Sequence, residues 1–445
     1  MEIQLSEYFG YHKLIRFTLP SVLMMIFTSV YSVVDGLFVA NLAGDIPFKA
    51  INLIMPFLWM MSTVGFMFGS GGTAIVAHTY GEGDLPRANR YFSLFVYVTL
   101  AVGAFLGIVS FILIEPIAAL LGAEGAIRED AVLYARIILP VLPFTALQYF
   151  FQNFFVAAEK PRLGLAVMLA AGGTNMVLDA LLVGLLPLEY KLIGAAVATA
   201  AAQLLGGALP LIYFFRKNKT VFRLGKTRVE GRIIAKATAN GSSELMSNMA
   251  MSLVGMLYNL QLLRYAGDDG VAAYGVMMYV SMIFSSIFIG YVIGAAPIIS
   301  YHNGAGNRRE KKNVLKKSLV LISSVSLVMY LASSLLAKPL VRLFVGYSDA
   351  LSDMAAGGLL IYSISFLFMG IAIFGSSFFT ALGDGVTSAI ISFLRTLVFQ
   401  LGAVLLLPLL LDGVDGIWWS VVAAEVMAAL LTALFLILKK KKYGY

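Results

Sequence analysis

Tyr80-Gly81-Glu82-Gly83-Asp84, with Arg87-Ala88 behind it, comes back in the second half of the chain as His302-Asn303-Gly304-Ala305-Gly306-Asn307, Gly81 meeting Gly304 at a shift of 223 residues. Each copy closes a long apolar run and precedes basic residues. Each therefore reads as a helix ended by glycine, with Asp84 or Asn307 placed to cap the helix that follows. Farther on, the stretch from Gly194 to Gln203 matches the stretch from Gly416 to Glu425 at a shift of 222. In a chain of 445 residues these shifts are half the length, the mark of a tandem duplication.

Outward from these turns, apolar runs fall near 14–40, 52–78, 91–114, 131–156, 163–186, 192–215, 233–263, 271–301, 318–337, 355–380, 386–411 and 416–438. Each is long enough for the roughly 20 residues that span a bilayer. None shows the short dyad alternation of a membrane barrel, so helices that satisfy their own backbone groups are expected. The predicted fold class is all-α integral membrane, with twelve transmembrane helices in two six-helix repeats. Six is even, so both repeats enter from the same side and are parallel, related by an axis along the membrane normal. The expected division is a first lobe at 1–215, a linker at 216–232 and a second lobe at 233–445. The first apolar run is too long for a signal-peptide core, and no cleavable leader is expected.

Hydrophobic residues make up 60% of the chain and charged residues 13%, with mean hydropathy +0.88, which excludes an ordinary soluble domain. With zero cysteines, disulfides, thiolate metal sites and thiol nucleophiles are excluded, and the three histidines, His12, His78 and His302, have no spaced metal partner. No cofactor is expected. The net charge of +8 is distributed by topology. With the N-terminus inside, 23 basic residues fall in inside segments, seven of them across 216–232, six across 308–317 and four at Lys439 to Lys442. Only Lys49, Arg128, Lys191, Arg264, Lys338 and Arg342 fall outside, beside acids such as Glu124, Asp268, Asp412 and Asp415. That bias predicts a multi-pass protein of the bacterial inner membrane with both termini cytoplasmic, and explains the basic charge without nucleic acid. The expected partners are the lipid bilayer and small organic substrates, and the expected state is a monomer.

Four acids remain inside predicted helices: Asp35, Asp179, Glu244 and Glu425; the base well inside is Arg395. A carboxylate at mid-membrane costs about 2.5–3.5 kcal/mol on insertion scales, so each needs a partner, a wet cavity or a proton. Asp35, Asp179 and Thr199 lie at similar depth in the outer half of the first repeat. Asn175 precedes Asp179 by four residues and shares its face. Two carboxylates, an amide and a hydroxyl suit a small cation. Crowded carboxylates resist double ionisation, so the group can hold a proton, or the same oxygens can ligate sodium. No other metal is expected. In the second repeat, Glu244, Arg395 and Glu425 approach the midplane and are expected to form an acid–Arg–acid group, either a structural weld or a substrate contact. Pro20 and Pro297 remove backbone hydrogen bonds within helices and allow bending.

The two glycine turns, the twelve runs in two halves and the Asn175-x-x-x-Asp179 pair together resemble the multidrug and toxic compound extrusion (MATE) family, in its bacterial DinF-like and MepA-like branch, over the whole chain. The resemblance implies a V of two lobes around a central cleft. It implies antiport of organic, often cationic amphipathic compounds against H⁺ or Na⁺, with coupling at Asp35, Asn175, Asp179 and Thr199, and with Tyr31 one turn before Asp35. Some family members add an aspartate in helix 10. This chain has no acid between Asp353 and Asp384, which shifts weight to the first lobe. A lipid-linked oligosaccharide flippase is the alternative within the superfamily, and it calls for a strongly cationic cavity. An enzyme is not expected, because no nucleophile or metal constellation is present. Gly225-Lys226-Thr227 lacks the first glycine and the preceding strand of a phosphate-binding loop.

Overall fold

The computed structural model describes residues 3–345, 349–411 and 413–445; Asp412, placed in an outer loop above, lies outside the described residues. The first half supplies α1 (Tyr11–Ala43), α2 (Asp45–Gly81), α3 (Leu85–Leu120), α4 (Gly125–Ala157), α5 (Pro161–Val183) and α6 (Leu188–Phe215). A 74-residue helical segment, Gly231–Gly304, follows, broken at Gly267, where φ is 62°. On a straight helix Tyr258 and Tyr274 would stand roughly 24 Å apart. Their rings instead stack with centroids 5.3 Å apart, so the chain reverses at Gly267, giving α7 before it and α8 after it. Then come α9 (Arg308–Leu335), a short helix Ala337–Val345, α10 (Asp349–Ser363 and Phe366–Ala381, bent by 47°), α11 (Gly385–Leu410) and α12 (Val414–Leu438). Counting the reversed segment twice and the bent pair once, the described residues make twelve membrane crossings. An even number brings both chain ends to one side, called here the terminal face.

The glycine turns form as their chemistry requires. Gly83 and Gly306 take φ of +87° and +66°, which a Cβ would strain. Asp84 accepts from the Arg87 amide and Asn307 from the Glu310 amide, each at 3.0 Å, starting α3 and α9.

The duplication is visible in how the halves touch. A Cβ on Gly81 would meet the Tyr301 carbonyl, and one on Gly304 the His78 carbonyl; 223 residues exchange one contact for the other. The same shift relates Gly71 against Gly241 in α2 and α7 to Gly294 against Thr18 in α8 and α1. Gly290 packs on Ser21 and Val22, and Gly241 on Met67. Small residues let these helices approach backbone to backbone, which is how helices associate where lipid removes the hydrophobic incentive. All of these contacts lie in the halves of α1, α2, α7 and α8 nearer the terminal face.

The N-terminal segment straps that closure. The Leu5 amide donates to Glu159 at 2.8 Å in the turn between α4 and α5, and the Phe9 amide to Glu310 at 2.9 Å at the start of α9. Asn313 and Lys317 donate to the Phe9 carbonyl, and Leu5 and Phe9 are fully buried. One short stretch of backbone is thus tied to both halves.

Candidate functional site

The first-repeat group is built by one face of α1 against one face of α5. Phe27, Tyr31 and Asp35 recur every four residues on α1, and Gly172, Asn175 and Asp179 recur at three and four on α5. Gly172 sets the distance: a Cβ there would stand 2.5 Å from Phe27 and 2.8 Å from Tyr31. With the helices this close, the Asp35 and Asp179 carboxyls face each other within hydrogen-bonding reach. Asp179 is fully buried and Asn175 is 2% exposed.

Asp35 Oδ1, both oxygens of Asp179, Asn175 Nδ2 and Thr199 Oγ1 are buried without a hydrogen-bond partner among the described residues. Two carboxylates facing each other have no donor to share; one proton between them would supply it, and a cation would serve the same oxygens. No base pairs with either acid among the described residues. Buried polar groups are normally satisfied, so this cluster of orphan atoms is unusual for a folded interior.

The backbone is adapted at the same place. A π-helical turn, Asp179–Val183, begins at Asp179, and another, Val39–Ala43, follows Asp35 by one turn. A third, Leu394–Phe399, contains Arg395. Such turns are rare and concentrate at functional sites, since they re-aim a side chain within an otherwise regular helix.

Several neighbours escaped the census of charges. Tyr134 of α4 lies beside Thr199 and near both aspartates, and Gln148 lies beside Tyr31. Gln148 and Gln152 both donate to Met168 Sδ at 3.6 Å, leaving their carbonyl oxygens orphaned. The i, i+4 amides within an apolar helix were the available signal; counting ionisable groups alone passes over them.

The second-repeat group forms only in part. Arg395 of α11 grips Glu425 of α12 in a two-pronged pair, with Nε at 3.0 and 3.1 Å and Nη2 at 2.9 Å. The Glu425 side chain is 1% exposed and that of Arg395 19%. Tyr362 stands next to both, and Tyr258 bonds Ser420 one helix turn away. Glu244 does not join them: among the described residues no hydrogen bond or ion pair links it to Arg395. The expectation of a trio is corrected, and the reason is facial. Glu244 follows Gly241, which packs on Met67 of α2, so that face of α7 looks toward the first repeat and away from the α11–α12 pair. Pro20 and Pro297 flank the packed zone where Thr18 meets Gly294, between α1 and α8.

The profile of the family described as MatE matches residues 20–181 and 245–404 of this chain. The Multidrug export protein MepA of Staphylococcus aureus is 25% identical over 435 residues, covering 97% of this chain and 94% of the relative. The protein of the same name from Staphylococcus haemolyticus is 26% identical over 434 residues, covering 96% and 93%. Among solved structures, an outward-facing conformation of a multidrug resistance MATE family transporter of the MOP superfamily superposes with a TM-score of 0.91 at 20% identity, over 99% of this chain and 98% of that one.

Proposed function

The chain belongs to the MatE family of membrane transporters, not enzymes, and we propose that it exports organic compounds, mainly cationic and amphipathic, while H⁺ or Na⁺ moves the other way. The observation that carries this reading is the pair Asp35 and Asp179, facing each other with buried orphan oxygens and, among the described residues, no base paired to them. Asn175, Thr199 and Tyr31 complete the polar wall. The names of the staphylococcal relatives favour several drugs over a single metabolite.

The mechanism follows from which surfaces are closed. On the charge bias the terminal face is cytoplasmic, and the glycine contacts between the halves lie nearer that face, which supports a cleft that opens on the outer side. Residues 1–215 and 233–445 are the moving bodies, joined by 216–232. A cation entering the Asp35–Asp179 pair removes one negative charge from it and lets α1 settle on α5; Pro20 is where α1 can bend without breaking a backbone hydrogen bond. Loss of the cation to the cytoplasm restores the charge and the affinity for an organic cation. Only the difference in affinity between the two states drives the cycle.

The flippase alternative finds no support. It needs a strongly cationic cavity, and Arg395, the deep base, is neutralised by Glu425.

The test is transport into proteoliposomes of a fluorescent organic cation, with pH and Na⁺ gradients imposed separately. Wild type is expected to concentrate dye under one gradient, and Asp179→Asn to lose that uphill movement while remaining folded. Full gradient-driven accumulation by Asp179→Asn overturns the assignment.

A further inference from the structure

A second polar site lies at the terminal face, far from the aspartates. A cavity of about 130 Å³ opens between the second and third turns of α1 and the first turn of α5, lined by Arg16, Phe17 and Pro20 on one side and by Glu159 to Leu163 on the other, with Ile3 of the strap at its edge. That volume is on the order of ten times what a single water needs. Pro20 is separated from Asp35 by fifteen residues of α1, roughly 22 Å of helix, so the cavity is not part of the coupling group.

We propose that this cavity binds a phosphate group. Among the described residues, Arg16 and Arg162 line it together with Lys160 and one carboxylate, Glu159, which accepts from the Leu5 amide. Neither Arg16 nor Arg162 makes an ion pair among the described residues. Planar guanidinium forks match phosphate oxygens in pairs, and α5 begins at Pro161 with its positive end at the same place. Phe17, Pro20, Pro161 and Leu163 give the cavity apolar sides, as a headgroup site at a bilayer surface requires.

The backbone supports a shaped turn at this place. Glu159 has φ +62°, the one non-glycine residue of positive φ among those described, and Gly383 fills the corresponding position of the second repeat with φ +79°. The two turns share their hydrogen bonds: Lys160 to Phe155 matches Asp384 to Phe379. The first repeat thus keeps a strained side chain where its sister uses glycine, and strain of this kind persists where the surroundings hold it for a purpose. The site reaches both α1 next to its proline and the strap, so its occupant would tie α1 to α5 at their terminal ends.

The experiment uses the full chain in detergent, unfolded thermally with phosphatidylglycerol, with phosphatidylethanolamine, or with inorganic phosphate, and native mass spectrometry to count retained lipid. Wild type is expected to gain about 3 °C or more from phosphatidylglycerol or from inorganic phosphate over phosphatidylethanolamine; which of the two acts identifies the source. Arg16→Gln/Arg162→Gln is expected to lose that gain and the retained lipid. Arg309→Gln/Lys312→Gln, exposed on the same face, should keep both. If the double glutamine variant does not fold, Arg16→Lys/Arg162→Lys keeps the charge and removes the forks, and a gain below that of wild type is expected. The proposal is overturned if neither ligand shifts wild type, if the Arg16/Arg162 variants keep the full shift, or if the Arg309/Lys312 variant loses it equally.

Discussion

At the scale of single residues, closeness is set by absence of a side chain. Gly172→Val should drive α1 from α5 by its contacts with Phe27 and Tyr31, and gradient-driven dye flux should fall about tenfold or more, since small misplacement of reacting groups is costly. Gly173→Val, whose Cβ meets nothing within 4 Å, should leave flux unchanged and serves as the control. The Arg395–Glu425 pair behaves differently. Glu425→Ala strands a buried guanidinium and should cost about 3 kcal/mol, at the low end for a buried pair because Arg395 keeps some exposure. Arg395→Met/Glu425→Leu should recover most of it in thermal unfolding, because what is costly is the uncompensated charge. Asp35, Asp179, Arg395 and Glu425 were legible in the sequence because an ionised group in an apolar run is conspicuous. Tyr134, Gln148 and Gln152 were not, because a neutral polar residue in such a run is ordinary until its neighbours are known. Glu244 was misplaced because depth along a helix does not say which face it looks from.

At the scale of elements, the terminal face is held by two chain ends on one turn. Glu310 takes the Phe9 amide, and Lys311 next to it donates to the Tyr443 carbonyl at 2.8 Å. Removing the first hold with Glu310→Ala should loosen the strap and let the halves part more often. Since the chain has no cysteine, Thr18→Cys, at the α1–α8 contact, reports this cleanly. Its reaction with a water-soluble maleimide should speed up in the Glu310→Ala background, and an unchanged rate would dissociate the strap from closure. The C-terminal tail adds a pH dependence. Burial works to raise the Asp384 pKa, but hydrogen bonds from Tyr443 and Thr387, with Lys439 nearby, outweigh it and hold the carboxyl below its usual value. A depressed folded value means that the stabilisation is complete at neutral pH and fades as pH falls from about 4 through the lower folded value. Hydrogen exchange across Lys439–Tyr445, corrected for intrinsic rates, should show protection at pH 7 that Asp384→Asn removes. Neither hold could be read from sequence, because short polar segments at chain ends carry no periodicity that says where they dock.

At the scale of the molecule, the architecture was the most legible part. Twelve apolar runs and a shift of 223 residues predict two parallel repeats, and the glycine contacts that exchange under that shift are the duplication seen in space. The reversal at Gly267 falls between the runs 233–263 and 271–301, where a loop is expected, whereas the bend of α10 was hidden, since it is a local break inside a run that stays apolar. Two repeats of one plan have acquired different chemistry. In the first, paired carboxylates keep orphan oxygens; in the second, an arginine holds the acid permanently. We therefore propose that the exchangeable cation belongs to the first repeat alone. The most direct measurement is the number of cations set free when an organic cation binds to the detergent-solubilised protein, followed in weak buffer by a pH indicator and in parallel by a sodium electrode. About one H⁺ or one Na⁺ should leave per molecule bound, because the two carboxyls act as one coupled site. That release should vanish in Asp179→Asn and persist in Arg395→Met/Glu425→Leu. Release that survives Asp179→Asn, or that disappears only when the second-repeat pair is removed, would contradict it.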